Sequence, residues 1–141
     1  MEQAPDPGWL AQFQMIESFH MTLAPERSEV GRARRFVVDT ATAVGQQALS
    51  DVVELLISEL VTNVVLHAAG DAMRIHVAWA PPTFRVEVTD DSTAAPQRRH
   101  YAQEAGTGRG LALVDSLASA WGSDPHDDGK SVWFEVVADA V

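Results

Sequence analysis

The sequence contains no cysteine, which removes disulfides, thiolate metal sites and a cysteine nucleophile from the possible chemistry. Positive charge is scarce: 10 lysines and arginines stand against 20 aspartates and glutamates, a net charge of −10. That argues against general binding to nucleic acid or to an anionic membrane, which depends on basic patches, while leaving room for a local basic face. No apolar run approaches the ~20 residues that a helix needs to cross a bilayer. The opening residues Met1-Glu2-Gln3-Ala4-Pro5-Asp6-Pro7-Gly8 are acidic and proline-rich, the reverse of a secretory signal. The cytoplasm is the expected location.

What is present suits one ordinary globular domain. The 141 residues are 46% hydrophobic and 21% charged, enough for a substantial core. Residues 1–8 are expected to form a disordered leader, and residues 9–141 a single domain. No repeat or interdomain linker is visible.

The stretch from Glu59 to His67 carries the strongest functional signal. It reads as a helix from about Ala48 to Ala69, closed by Gly70-Asp71. At about 100° per residue, Asp51, Glu54, Ser58 and Thr62 share a solvent face. Val53, Ile57, Leu60, Val61 and Val64 share a core face. Glu59, Asn63 and His67 fall on a third line, flanked by Val52, Leu56 and Leu66. Polar groups on an apolar flank are costly to bury unless they are paired, and a polar cleft that holds a ligand would account for them. A side-chain amide oxygen suits Mg²⁺, which keeps several waters and takes other oxygens from phosphates. A carboxylate one turn away suits a general base. The same residues also fit a polar pair satisfied within the fold.

Around this helix the periodicity places the other elements. Residues 9–23 hold at least one strand. Pro25 fits the first turn of a helix running toward Thr42, with Val30, Ala33, Phe36 and Val37 at helical spacing. Met73, Ile75, Val77 and Trp79, then Phe84, Val86 and Val88, alternate about the turn Pro81-Pro82 as a hairpin with one buried face. Residues 91–105 read as a long loop of the kind used for lids and binding loops. A third helix is expected from about Gly108 to Ala120. A last hairpin joins 121–126 to 131–137 through Asp127-Asp128-Gly129. This order predicts an α+β layer, with helices on one face of a mixed, largely antiparallel sheet.

Two further segments carry chemistry. In Gly106-Thr107-Gly108-Arg109-Gly110, alternate glycines allow close backbone approach, and the helix that follows offers free N–H groups to an anion. Thr107 adds a hydroxyl and Arg109 a fixed charge. The Walker pattern is absent, and no strand directly precedes the glycines, as a dinucleotide fingerprint requires. A flexible hinge entering a helix is the plainer reading. At the end of the strand 84–89, Asp90 is placed to accept the exocyclic amine of adenine, although acidic residues after strands more often form turns.

Together these segments resemble the ATP-binding domain of the GHKL superfamily, which includes gyrase B, Hsp90, histidine kinases and MutL. Within it the chain is similar to the small anti-sigma regulatory factors with serine/threonine-kinase activity. The match is carried by Ser58-Glu59-Leu60-Val61-Thr62-Asn63 with His67, by Glu26–Phe36, by Gly106–Val114 and by Trp121-Gly122. It spans residues from about 17 to 137. The resemblance implies a two-layer Bergerat-type sandwich with about three helices. It implies that Asn63 coordinates Mg²⁺, that Glu59 is the base and that Asp90 binds adenine. Gly106, Thr107, Gly108, Arg109 and Gly110 would hold the phosphates of ATP beneath the 91–105 lid. The family's Asp-x-Gly-x-Gly motif is altered here, where Ser92 and Ala94 replace both glycines and restrict the backbone.

Arg27, Arg32, Arg34 and Arg35 set four basic residues on one helix of an acidic protein. They form either a solvated face offset by Glu26 and Glu29 or a docking surface for an acidic partner. Lone His76 and His126 lack metal-ligand spacing. The tryptophans are core or edge-packing residues, and Ser58 has no nearby base to make it a nucleophile. The function expected is an anti-sigma-type regulator that binds Mg-ATP, phosphorylates a serine or threonine of an antagonist protein and sequesters a sigma factor. A homodimer is compatible with that reading. The alternatives are a non-catalytic partner-binding module and a simple ATPase.

Overall fold

The computed structural model describes residues 16–67, 72–90, 116–126 and 129–138. Among them the chain forms strand β1 (Glu17–Leu23), helix α1 (Val30–Ala43), helix α2 (Ser50–His67), and strands β2 (Met73–Ala80), β3 (Thr83–Asp90), β4 (Ala120–His126) and β5 (Gly129–Val137). Each helix is entered through a short 3-10 turn, at Arg27–Glu29 and Gln47–Leu49. The strands lie in the order β1-β2-β3-β5-β4, and every pairing is antiparallel. The described sheet therefore has no parallel pair, where a mixed sheet is expected from the sequence.

The helices form one layer against one face of this sheet. From α1, Ala33, Phe36, Val37 and Ala41 are buried; from α2, Val53, Leu56, Ile57, Leu60, Val61 and Val64. They meet Met73, Ile75 and Val77 of β2, Phe84, Val86 and Val88 of β3, and Val132, Phe134 and Val136 of β5 in a single core. Period 3.6 in the helices and period 2 in the strands thus converge on the same interior. Helix α1 ends as its sequence requires. Gly45 takes φ 77°, Gln46 N–H donates to Ala41 O at 2.7 Å and Gly45 N–H to Thr42 O at 3.0 Å. This paired closure is open to glycine at little steric cost.

The sheet's other face departs from simple alternation. Ala78, Ser131 and Arg85 are buried there. Arg85 lies 4.1 Å from the Trp133 ring centre and 2.7 Å from Glu135, its partner across the strands. Desolvating the guanidinium is offset by a ring face and a carboxylate.

Two helices are described, where about three are expected. The helix expected from Gly108 lies mostly outside the described residues. Ser116 and Leu117 are helical, but Ala120 already belongs to β4. The helix therefore stops earlier than expected, because Ser119 is tied to the end of β5. Its N–H donates to Glu135 O at 2.7 Å, and its Oγ accepts from Val137 N–H at 3.0 Å. The leader expected over residues 1–8 and the 91–105 loop also lie outside the described residues.

Candidate functional site

While the side chain of His67 lies outside the described residues, helix α2 carries two members of the expected polar stripe, Glu59 and Asn63. Its core face is buried throughout, Asp51 and Glu54 are exposed, and Glu59 and Asn63 sit between the two faces. One flanking residue belongs elsewhere: Leu56 is fully buried and joins the core. Leu66 remains exposed, and so does Leu55 on the solvent side.

Asn63 is 5% exposed. Its Nδ2 donates to the Glu59 carbonyl at 3.1 Å, which fixes the amide plane. Its Oδ1 is buried and has no hydrogen-bond partner among the described residues. A buried carbonyl oxygen without a donor costs about 1–3 kcal/mol, so a cation or a hydrogen-bond donor would suit this atom. Burial also pushes the Glu59 carboxyl above its ordinary value, toward the range in which a carboxylate becomes an effective proton acceptor.

Asp90 is the last residue of β3 and lies on the helix-facing side of the sheet, 3% exposed. It is paired with Met73 on β2 and with Lys130 on β5. Helix α2 packs on β3 and β5, and β2 begins shortly after α2 ends. The C-terminal turns of α2 and the Asp90 end of β3 therefore occupy the same end of the sandwich. The sequence reading missed Lys130. It is 3% exposed, and its Nζ stands 3.9 Å from Asp90 Oδ2. Its position directly opposite Asp90 in a β3–β5 pairing is the signal that would have found it. One rung along the other face, Thr89 and Ser131 hydroxyls meet at 2.9 Å.

Gly106, Thr107, Gly108, Arg109 and Gly110 lie outside the described residues, as do Ser92 and Ala94. Glu59, Asn63 and Asp90 are thus the expected site residues that fall among the described ones.

Arg27 in the 3-10 turn before α1, and Arg32, Arg34 and Arg35 on α1, are all exposed. Among the described residues, Arg32 has a close acidic neighbour, Glu29 at 3.2 Å. Beside them a cavity of about 540 Å³ opens between α1 and the edge strand β1, lined by Met21, Arg32, Arg35, Phe36, Asp39, Thr40 and Ala43.

Comparison with known proteins gives this architecture its class. Residues 23–136 match the model of the histidine kinase-like ATPase domain, and the chain belongs to that family. Its fold is similar to the solved structure of the RsbU and RsbW domains of a Mycobacterium tuberculosis protein. That match has TM-score 0.65 and 19% identity, covering 86% of this chain and 32% of the other. It is also similar to the histidine kinase domain of a blue-light activated histidine kinase from Erythrobacter litoralis. There the TM-score is 0.52 and the identity 18%, with 78% and 59% of the two chains covered. The chain thus spans about a third of the first of these structures. No curated protein matches it.

Proposed function

We propose that the chain is an anti-sigma-type regulator that binds Mg-ATP, phosphorylates a serine or threonine of an antagonist protein and sequesters a sigma factor. The observation that carries the nucleotide part is Asn63 Oδ1, buried and without a hydrogen-bond partner among the described residues. A hard, neutral oxygen held in place by its own amide bond to Glu59 suits Mg²⁺ or one of its waters. Asp90 would accept the adenine amine. Gly106, Gly108 and Gly110 would let the backbone surround the phosphates, with Thr107 and Arg109 adding a donor and a charge.

When bound, Mg²⁺ supplies charge neutralisation on the phosphate oxygens. The chain's own part is then small and positional. Asn63 holds the cation end of the nucleotide. Glu59 accepts the proton of the incoming serine or threonine hydroxyl as that oxygen bonds to the γ-phosphorus and ADP leaves. The partner would dock on the arginines of α1 and the cavity beside them, where a positive face on an acidic protein selects an acidic surface.

The test is thermal unfolding with and without Mg-ATP. At a hundredfold excess over Kd the ligand should stabilise the fold by about 2.7 kcal/mol. Asn63→Ala should abolish that shift while leaving the unliganded protein folded. A wild type unmoved by millimolar Mg-ATP would favour a non-catalytic partner-binding module instead, the reading supported by Ser92 and Ala94 at the glycine positions.

A further inference from the structure

Lys130 is the only lysine in 141 residues; every other cationic side chain is arginine. A lone lysine would ordinarily be a surface residue, since its ammonium is strongly hydrated and its long stem lets the charge reach water. Lys130 is instead 3% exposed. It sits on the core-facing side of β5, in alternation with Val132, Phe134 and Val136. Its Nζ is 3.9 Å from Asp90 Oδ2.

A buried ion pair is weak support for a fold, because desolvation offsets most of the attraction and apolar replacements often do as well. The pair is better explained by what its two ends present at this end of the sandwich. Asp90 offers an acceptor, and beside it Lys130 offers N–H donors. The Watson–Crick edge of adenine carries the complementary groups side by side: the exocyclic amine donates, and ring nitrogen N1 accepts. Enzymes that read a free base use hydrogen bonds to this edge.

We propose that Lys130 is a base-reading residue, its Nζ donating to N1 of adenine while Asp90 accepts from the exocyclic amine. This rests on the Mg-ATP reading given above. It makes a sharper statement than selection by Asp90 alone. Hypoxanthine and guanine place a carbonyl where adenine has its amine, and an N–H where adenine has N1. In the same pose both contacts are mispaired at once: carbonyl against carboxylate, and N–H against ammonium. Leaving buried polar groups mispaired is the strongest source of rejection available to a binding site.

The experiment is calorimetric titration of the intact chain, wild type and Lys130→Met, with Mg-ATP and with Mg-1-deaza-ATP, which keeps the amine and lacks only N1. A hydrogen bond to a charged group corresponds to ~10- to 100-fold in affinity. Wild type should therefore bind ATP tighter than the deaza analogue by about that ratio. Lys130→Met should weaken ATP to the analogue's level and leave the analogue unchanged. Equal weakening of both ligands would assign Lys130 to holding Asp90 and overturn the proposal, as would no weakening of either.

Should Lys130→Met fail to fold, the wild type still decides. With [13Cε]lysine the protein gives one side-chain resonance, which should shift with Mg-ATP and stay near its free position with the deaza analogue. Identical shifts would overturn the proposal. Wild type that binds neither nucleotide would overturn the Mg-ATP reading and this inference together. Wild type that binds both equally overturns this inference alone.

Discussion

Glu59 is asked to do two things that pull in opposite directions. Burial favours its protonated form, whereas a base must be ionised. A folded-state value above the ordinary one means that the proton is held more tightly in the native than in the unfolded chain. The resulting stability is present at low pH and is lost as pH rises through the raised value. Phosphotransfer should follow the reverse course, climbing as Glu59 ionises over the range above pH 4.5. Glu59→Gln should keep Mg-ATP binding, flatten both profiles and lower transfer to a cognate partner by about 10²–10⁴-fold. Rate measurements against pH check this, and an unchanged rate would remove Glu59 from the mechanism. At this scale the sequence was informative where spacing mattered. Asn63 stands out because an amide at i+4 from a glutamate interrupts an apolar flank. Lys130 does not, because beside Asp127-Asp128-Gly129 it reads as part of a polar turn. Only the strand register reveals that it points to the core side.

Among the elements, β4 depends on a residue that has no side chain. Gly122 is paired with Trp133 across the β4–β5 ladder, and a Cβ built there would come within 2.8 Å of the indole. The ring is poorly placed to yield, since Arg85 rests over it. Gly122→Ala should therefore destabilise the fold by about 1–3 kcal/mol, the usual cost of overpacking, measured by urea denaturation. The double change Gly122→Ala with Trp133→Val should recover part of the loss by removing the ring. A destabilisation below the error of the method would mean that β4 shifts freely against β5. Element types were legible because each has one strong period. Boundaries were less so: hydrogen bonds from Ser119 to the end of β5 set the start of β4, and a sequence does not display such long-range ties. The 3-10 entry into α1 was hidden for a local reason, since Arg27–Glu29 has helical composition with a tighter winding.

At the scale of the whole molecule, the two helices and the sheet share one core, so a defect in α2 is felt by the strands beneath it. Leu56 is fully buried, and Leu56→Ala should cost about 2–5 kcal/mol. Because Leu56 lies on the same helix as Glu59 and Asn63, weaker nucleotide binding should accompany that loss. Denaturation with and without Mg-ATP separates the two effects. The exposed arginines of α1 should govern association instead: Arg34→Glu with Arg35→Glu should slow partner binding and reduce its salt dependence, with nucleotide affinity unchanged. The layer architecture was readable in outline from the sequence because helices and strands come in separate blocks. The strand order was not, because a hairpin whose later strand inserts next to β3 leaves no local mark.

That strand order also bears on how the molecule is made. Among the described residues β1 pairs with β2 alone, Glu17 lying against Trp79 and Leu23 against Met73. Helices α1 and α2 are synthesised between the two strands, so β1 waits for its hydrogen-bonding partner until both helices have emerged. Contacts this remote in sequence close late and slow folding. The wall of the α1 cavity that β1 supplies is therefore expected to form late and to open early. Amide exchange should report this as lower protection in β1 than in β3, whose neighbours flank it on both sides.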